Sequence, residues 1–556
     1  MDIELFIALS FTLAGGWAFR KFIWTPAKAW FANHGFEVTL RKAVMTLLLA
    51  LALVSWVLIT GLSPESVAVP GGLVVVAYWY FVIRGGTRRA AGGAADVLAD
   101  AAGMRALAAP FDPVPHILKT LKSGRDEVFM GLDADRKPVQ FPRQAIDKNH
   151  IEILGESGVG KSSLAGVLLS QLAAAGECVV IFDPKADRML PGVLARAGHE
   201  YGFPVVNIDL RYGQPPQLNP FLHARRDQVE ELLQVALELG KTGQGAVDFY
   251  RGKDREATGW MAAAFEDGQT SIPELLEKSA ADERVVENEN LWREFRQIAR
   301  IPAFQVQQGQ GGHDLEALLS QPGVIYVTGS TTKLEVQAAQ KLLLQRILQI
   351  LDERRDQSMP VAIFLDELKY ILSPAALRAA GTIRDRNCHL IFAHQSLGDL
   401  SDCPGLDPKA VRGAVWGNCG LKITYRMLDA DTARELSVIA GERAVLERRL
   451  SENDNGTTIA ESIGKASHMP PHVFTHLPKP AGQEASVGVL IGDGPAYFLA
   501  TRWLPSGPTP ELIHAQPLEK PVTVMAAPAA LAAGAVTTES LREDAGGSAD
   551  LDDLLK

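Results

Sequence analysis

Nine consecutive residues carry the strongest chemical signal in the sequence, because they contain the spacing GxxxxGK[ST] of a phosphate-binding loop. The glycines let successive backbone N–H groups point toward a triphosphate, at the positive end of the helix that follows. Lys161 would reach the β- and γ-phosphates, and the Ser162 hydroxyl would coordinate Mg²⁺. We therefore expect ATP to bind at Gly155, Glu156, Ser157, Gly158, Val159, Gly160, Lys161, Ser162 and Ser163.

Two acidic residues follow the apolar run 361–365, which has the composition of a buried strand. Asp366 would hold Mg²⁺ through water, and Glu367 would orient and polarise the attacking water. An acid-rich helix start is the alternative explanation for such a pair. The upstream phosphate loop favours the metal and water roles.

Three further polar residues are candidates for catalysis. Gln395 follows another apolar run and would sense the γ-phosphate, although an ordinary polar residue after a strand gives the same pattern. Arg384 and Arg386 would stabilise transition-state charge on a neighbouring subunit's nucleotide, as an arginine finger does. The alternative for either arginine is a solvated ion pair, for instance with Asp385.

The elements that must position these residues follow from hydrophobic patterning. Short β-branched runs alternate with helical spacing, which is typical of an α/β fold with a mostly parallel sheet. We predict a nucleotide-binding domain over 146–221 and 321–505, interrupted by an all-α domain over 222–320. The predicted strands are 150–154, 178–182, 204–208, 324–327, 361–365 and 389–392.

Charge and cysteine usage narrow the function classes. The net charge of −10 lacks the global positive field of a small DNA-binding domain, although a ring-shaped motor needs only a local basic lining. Arg251, Lys253 and Arg255 are candidates for phosphate-backbone contact, with a solvated helix face as the favoured alternative. The four cysteines form no CxxC pair, so neither disulfides nor zinc are indicated.

The first 90 residues predict a transmembrane domain. The apolar runs 43–62 and 67–83 are flanked by basic residues and joined by an acidic connector, which indicates a hairpin with both ends cytoplasmic. The run 5–19 is a possible third span, with a signal peptide as its alternative. We therefore expect a multi-pass protein of the bacterial inner membrane with cytoplasmic soluble domains.

The remaining segments have little periodicity. Residues 91–145 are rich in Ala, Gly, Arg and Pro and are predicted to form a juxtamembrane lead-in with little core of its own. Residues 506–556 are predicted to form a disordered acidic tail.

Several motifs together resemble the TraD/TraG family, the coupling proteins of conjugation and type IV secretion. Besides the nucleotide motifs, they are Phe182–Lys185, Leu218–Phe221, Phe392–Ser396, Gly417–Asn418, Asp431–Ala433 and Gly441. The resemblance runs over most of the chain. A generic phosphate-loop ATPase would not be expected to carry all of these motifs.

The resemblance implies an N-terminal membrane domain and a RecA-like motor interrupted by an all-α domain, assembled as a homo-hexameric ring. Such proteins recruit a relaxosome, a relaxase joined to nicked single-stranded DNA, and pass it to the secretion channel using ATP. The family's arginine finger falls on Arg384 when counted back from Gln395, and the choice between Arg384 and Arg386 stays open.

Three other functions share parts of this pattern. A translocase similar to FtsK or HerA would act on double-stranded DNA, a coupling ATPase could serve protein effectors only, and a docking platform would use ATP only to assemble. The large insertion and Leu218–Phe221 favour the coupling interpretation. The pairing of Lys161 with Glu367 favours ATP turnover over a scaffold, since a scaffold needs no water-polarising carboxylate.

Overall fold

The computed structural model describes residues 106–512, apart from 125, 241–244, 266–269, 308, 454–455 and 493, together with 516–517. The predicted membrane domain, the first part of the predicted lead-in and most of the predicted tail lie outside the described residues.

The prediction that this chain is a multi-pass protein of the bacterial inner membrane is contradicted by the described helices. In the described part of the chain, no helix combines the length and the apolar character needed to cross a bilayer. The segments on which the prediction rested, 5–19, 43–62 and 67–83, lie outside the described residues.

Strands and helices alternate through most of the described chain. The strands are β1 (Glu127–Leu132), β2 (Pro138–Pro142), β3 (His150–Leu154), β4 (Cys178–Asp183), β5 (Val205–Asp209), β6 (Gln310–Gly311), β7 (Gly323–Thr328), β8 (Val361–Asp366), β9 (Cys388–His394), β10 (Cys419–Thr424), β11 (Glu442–Asn453), β12 (Gly456–Ser467), β13 (Ser486–Gly492), β14 (Gly494–Thr501) and β15 (Gln516–Pro517).

The helices lie mainly between the parallel strands. They are α1 (Val114–Lys122), α2 (Arg143–Asp147), α3 (Lys161–Ala174), α4 (Leu190–Tyr201), α5 (Arg226–Ala236), α6 (Gly245–Ala263), α7 (Ile272–Ala280), α8 (Glu283–Val286), α9 (Glu289–Ile298), α10 (Leu315–Leu319), α11 (Leu334–Glu353), α12 (Pro374–Thr382), α13 (Leu397–Ser401), α14 (Pro408–Val415), α15 (Ala430–Ile439) and α16 (Pro471–His476). Short 3-10 turns occupy Pro302–Phe304, Leu368–Tyr370 and Ile383–Arg386.

One eleven-stranded sheet organises the molecule, in the order β2-β1-β14-β13-β10-β3-β9-β8-β4-β7-β5. The seven strands from β10 to β5 pair in parallel. The four strands from β13 to β2 pair antiparallel and extend one side of the sheet. The mixed α/β fold predicted from the sequence is confirmed.

Successive side chains of a strand point to opposite faces of the sheet. In the central strands both sets of side chains are buried, because an apolar cluster covers each face. In β8, Ile363 and Leu365 join one apolar cluster, and Ala362 and Phe364 join the other. The first cluster includes residues of α11, and the second includes residues of α3 and α4. The sheet therefore lies between two helical layers.

The helical insertion packs as part of the first of these layers. Leu232 and Leu233 of α5, Met261 of α6 and Phe295 of α9 lie in the same cluster as the β8 residues Ile363 and Leu365. The insertion therefore shares its core with one face of the sheet.

Two segments differ from their sequence-based descriptions. The predicted lead-in was expected to have little core of its own. Its residues Ile117, Phe129 and Phe141 are instead buried in the second cluster, because β1 and β2 form the end of the sheet beside β14 and α1 packs there. At the start of the predicted tail, the Gly507 amide donates to the Gly192 carbonyl at 2.9 Å, so this part of the chain packs on α4.

Arg346 of α11 contacts the helical insertion through hydrogen bonds. Its side chain is buried, and its Nη2 donates to the Leu222 carbonyl and to Glu316 Oε1, both at 3.0 Å. We expect Arg346→Ala to lower the free energy of unfolding by about 3 kcal/mol, because it empties the space of a large buried side chain and leaves the part-buried Leu222 carbonyl without its donor. Urea denaturation of the full chain measures this loss.

The control is Arg196→Ala, which removes an exposed ion pair with Glu200 and should change the free energy of unfolding by less than about 1 kcal/mol. Equal losses for the two variants would contradict the role of Arg346 as a buried junction.

Candidate nucleotide-binding site

The carboxyl ends of four parallel strands meet at one edge of the sheet. Leu154 at the end of β3 pairs with His394 at the end of β9, and Asp366 at the end of β8 pairs with Ala393. Asp183 ends β4, the neighbour of β8 on the other side. Ligands collect at this edge of open α/β sheets, so the tertiary fold brings the phosphate loop, Asp366 and Gln395 together.

The phosphate loop depends on glycine backbone geometry. Gly155, Gly158 and Gly160 have φ of +145°, +75° and +125°, in the region that favours glycine. A Cβ on Gly160 would lie 2.2 Å from Ser486 Cβ, so β13 packs directly against the loop. Only a residue without a side chain fits at this position.

The loop is anchored at its first two amides. The Gly155 amide donates to the His394 carbonyl at 3.3 Å, and the Glu156 amide donates to the Arg426 carbonyl at 3.0 Å. The next four amides, 157–160, make no hydrogen bond with another described residue. A Cβ on Gly158 would lie 3.6 Å from Lys479 Cε and 3.9 Å from its Nζ, so free backbone donors and a lysine ammonium meet here, as a bound phosphate requires.

Lys161 lies inside the loop that it would serve. Its Nζ donates to the Gly155 carbonyl at 2.6 Å and to the Glu156 carbonyl at 2.9 Å. Burial lowers the pKa of this ammonium, and the nearby Asp366 carboxylate opposes the shift. Ser162 is half-buried, and the Ser163 hydroxyl is buried without a hydrogen-bond partner among the described residues.

Glu367 is held by two polar side chains. It has φ +46° and ψ +51°, and only 2% of its surface is exposed. Its carboxylate forms an ion pair with Lys185 and accepts from Gln395 Nε2 at 3.4 Å on both oxygens. The left-handed backbone therefore turns this carboxylate toward the loop after β4 and the loop after β9.

Lys185 is a candidate site residue that the sequence analysis did not single out. It appeared there only within the motif Phe182–Lys185, without a role. Its position two residues beyond the carboxyl end of β4 follows the same rule that drew attention to Asp366, and that rule was the available signal.

The pKa of the Asp366 carboxyl group is raised above its ordinary value. Burial raises its pKa to about 7, the neighbouring acids Glu367 and Asp183 add to the shift, and Lys185 and Lys161 oppose it. A cation at this carboxylate would relieve the same burial penalty that raises the pKa. The residues present therefore fit Mg²⁺ at Asp366 and Ser162.

The loop after β9 is fixed by Asp399. The Gln395 amide donates to Asp399 Oδ2 at 2.8 Å, and Lys369 Nζ lies 3.0 Å from Asp399 Oδ1. Lys369 follows Glu367 by two residues, so the ion pair joins the two loops that carry Glu367 and Gln395.

A buried triad of polar side chains lies within the sheet behind the site. Glu152 of β3 is fully buried, and its two oxygens contact His394 Nε2 at 2.7 Å and Lys422 Nζ at 2.6 Å. Lys422 also donates to the Trp416 carbonyl at 2.6 Å. The triad fixes the residue that precedes Gln395. A glutamate inside the apolar run 150–154 was the signal for it in the sequence.

The two candidate arginine fingers lie at the opposite end of β9. Both are in the turn Ile383–Arg386, one strand length of roughly 20 Å from Gln395. Arg384 is exposed, and Arg386 pairs with Asp352 at 3.0 Å rather than with Asp385. Neither arginine therefore belongs to the nucleotide site of its own chain.

The basic residues of α6 are mostly engaged within the insertion. Arg251 donates to the Gly240 carbonyl and Arg255 to the Leu239 carbonyl, both at 2.7 Å. Lys253 Nζ lies 5.3 Å from the ring centre of the exposed Phe249. The two arginines thus fasten α6 to the chain that follows α5.

The sheet and this edge define a P-loop NTPase fold. Comparisons with known proteins agree. A family model described as the TraM recognition site of TraD and TraG matches residues 360–479, and a model of the central domain of the helicase HerA matches residues 132–187.

Mobilization protein A of Escherichia coli is 30% identical over 346 residues, which is 61% of this chain and 63% of that protein. The alignment thus spans less than two thirds of that relative. The bacterial conjugative coupling protein TrwBΔN70, in its unbound monoclinic form, shares the fold with a TM-score of 0.51 and 16% identity, over 72% of this chain and 94% of that chain. Residues 360–479 are thus similar to TraD and TraG, and the resemblance stated from the motifs is confirmed.

The raised pKa of Asp366 predicts a pH dependence of metal binding. A carboxyl group must lose its proton to serve Mg²⁺, so the affinity for Mg²⁺ should fall by about tenfold per pH unit below about pH 7. Calorimetric titration of the full chain with Mg²⁺ and a non-hydrolysable ATP analogue, between pH 5.5 and 8.5, would show this slope. A Mg²⁺ affinity that does not change with pH would contradict the role of Asp366 in metal binding. The same holds if the Asp366→Asn variant shows the pH dependence of the wild type.

The triad predicts a second pH effect. The pKa of Glu152 is lowered because His394 and Lys422 outweigh its burial, so its stabilising contribution is complete near neutral pH and is lost as pH falls through the folded-state pKa. Glu152→Gln should lower the free energy of unfolding at pH 7 by about 3 kcal/mol, because it leaves Lys422 buried without a counter-charge.

Urea denaturation at several pH values measures this effect. The difference between wild type and Glu152→Gln should shrink toward acid pH, whereas Glu200→Gln on the surface should change little throughout. A constant difference at all pH values would exclude the proposed charge coupling.

Proposed function

We propose that this chain is an ATP-hydrolysing coupling motor that delivers a relaxase joined to single-stranded DNA to a type IV secretion channel. The observation that carries the proposal is the buried carboxylate of Glu367, held by Lys185 and Gln395 beside the phosphate loop. A protein that only bound nucleotide would not require a buried, oriented carboxylate at this position.

Each residue of the edge has a distinct task in this proposal. Lys161 would leave the loop carbonyls for the β- and γ-phosphates, and the free amides of 157–160 would bind the same group. Ser162 and, through water, Asp366 would hold Mg²⁺, which offsets charge on the phosphates when bound. Glu367 would polarise the attacking water, and Gln395 would report the γ-phosphate to the loop that Asp399 fixes.

Lys185 sets the state of Glu367. As long as the ammonium pairs with this carboxylate, it occupies an oxygen that would otherwise contact the attacking water. A γ-phosphate is a stronger partner for a lysine, so nucleotide binding would draw Lys185 away and free Glu367. This would couple hydrolysis to a correctly filled site.

The positions of Arg384 and Arg386 favour assembly with further copies of the chain, and the number six in this proposal comes from the resemblance to the TraD/TraG family. Both arginines are remote from the nucleotide site of their own chain, so only another subunit's nucleotide would be within their reach. Arg384 is the more available of the two, because Arg386 is paired with Asp352.

The cargo part of the proposal is supported by likeness to relatives. Residues 360–479 match a segment named for TraM recognition, which favours contact with a relaxosome protein, and the relative from Escherichia coli is a mobilization protein. The HerA match at 132–187 covers the phosphate loop, which all these motors share, and makes a double-stranded DNA translocase the second candidate.

The test is ATP hydrolysis by the full chain with single-stranded DNA, double-stranded DNA or no polymer. We expect the strongest stimulation by single-stranded DNA. Lys161→Ala should abolish nucleotide binding, whereas Glu367→Gln should bind ATP and lose at least about 100-fold in kcat. Glu200→Gln, on the surface of α4, is the matched control and should hydrolyse ATP normally.

Three results would count against parts of the proposal. Substantial hydrolysis by Glu367→Gln would remove its catalytic role. Stimulation by duplex alone would favour the HerA-like function. Hydrolysis unaffected by any nucleic acid, together with binding of a protein substrate, would favour transport of protein effectors.

A further inference from the structure

Three side chains that can act as metal ligands meet at the amino-terminal edge of the sheet. This edge is at the opposite end of the strands from the phosphate loop. Asp147 ends α2, Glu177 immediately precedes β4, and His389 is the second residue of β9. One ligand atom from each lies within 4.8 Å of the other two. The proposed nucleotide chemistry uses none of these residues.

Among the described residues, each of the three side chains has a buried polar atom without a hydrogen-bond partner, and only a proton shared by Asp147 and Glu177 would join two of the three side chains. These atoms are Asp147 Oδ1, Glu177 Oε2 and His389 Nε2. Glu177 and His389 are 0% and 1% exposed, so bulk water does not satisfy them. Leaving such atoms unpaired is costly, and three at one point indicate a missing common partner.

The distances fit an ion better than a direct hydrogen bond. Glu177 Oε2 and His389 Nε2 are 3.8 Å apart, beyond hydrogen-bond length. Two ligands at about 2.1 Å on either side of one ion lie at most about 4.2 Å apart. The pair therefore already has the spacing of two ligands of a shared ion.

Arg143 supplies the second shell that such a site needs. Its Nε donates to Glu177 Oε1 at 3.0 Å, and its Nη1 donates to the Ala175 carbonyl at 2.8 Å. Arg143 thus occupies one carboxylate oxygen and leaves Oε2 directed at Asp147 and His389. Ligating carboxylates in metal sites are commonly oriented by such an outer hydrogen bond.

We propose that Asp147, Glu177 and His389 bind a divalent transition-metal ion, with Zn²⁺ as the representative. One imidazole and two carboxylates are a donor set for this class, whereas Mg²⁺ prefers oxygen ligands alone. The ion would join α2, β4 and β9 and so brace the edge opposite the nucleotide. Asp147 is half-buried, with 23% of its side chain exposed, and provides the entry path.

A proton is the competing occupant. Burial, with a contribution from Asp147, raises the pKa of Glu177 to about 8 against the opposing effect of Arg143. Burial lowers the pKa of His389 to about 3, so its imidazole is neutral and has a lone pair available at neutral pH. Without an ion, a shared proton between the two carboxyl groups would occupy the cluster.

The experiment is a Zn²⁺ titration of the purified, chelator-treated full chain, followed by metal analysis after gel filtration. We expect one tightly held Zn²⁺ per chain, and a loss of affinity of at least about 100-fold in His389→Gln. The control is His472→Gln, which disrupts the exposed His472 and His476 pair on α16, a weak surface alternative for Zn²⁺. It should retain the tight site.

A second variant keeps the test decisive if His389→Gln does not fold. Asp147→Asn changes a half-buried group without changing its shape, and Zn²⁺ should raise the thermal midpoint of the wild type by roughly 5 °C but not that of this variant. Co²⁺ should give a visible absorption band in the wild type only. Equal Zn²⁺ binding by wild type and both cluster variants, or none by the wild type, would overturn the proposal in favour of a protonated carboxyl pair.

Discussion

Burial of the central strands on both faces is the constraint on which the rest of the structure depends. Strands β3, β4, β7 and β9 expose none of their residues, so polar groups can lie only at strand ends or in fully paired clusters. Asp183 and Asp366 stand at carboxyl ends for this reason, and Lys185, Glu367 and Gln395 follow in the adjoining loops. The site is therefore a consequence of how the sheet is covered.

Exceptions inside the sheet obey the same rule. Glu152 is fully buried within β3 and is tolerated because His394 and Lys422 pair with both of its oxygens. The arrangement also has a mechanical consequence, since His394 directly precedes Gln395. The buried glutamate beside the loop that carries Gln395 is thus stabilised by neighbours on two adjacent strands.

The carboxyl-terminal and amino-terminal edges of the parallel strands are supported by different parts of the chain. At the carboxyl edge, Ser486 of β13 packs against Gly160, so the antiparallel extension is part of the phosphate loop's support. At the amino edge, Arg143 contacts Glu177, and the turn that carries Arg384 and Arg386 leads into β9, the strand of His389. A strand such as β9 connects the two edges rigidly, and both sets of candidate residues depend on its register.

The sequence by itself determined the six parallel strands that it predicted and the motif from Gly155 to Ser162, because both are local patterns of residue type and spacing. It missed β13 and β14 although both contain β-branched or aromatic residues, because antiparallel pairing with β10 and β1, which no local pattern specifies, places them in the sheet. Only the tertiary structure decided that Lys185 pairs with Glu367, that Arg386 pairs with Asp352, and that Asp147, Glu177 and His389 converge. Each of these contacts joins residues far apart in the chain, and such proximity arises from strand order and register, which no local pattern specifies.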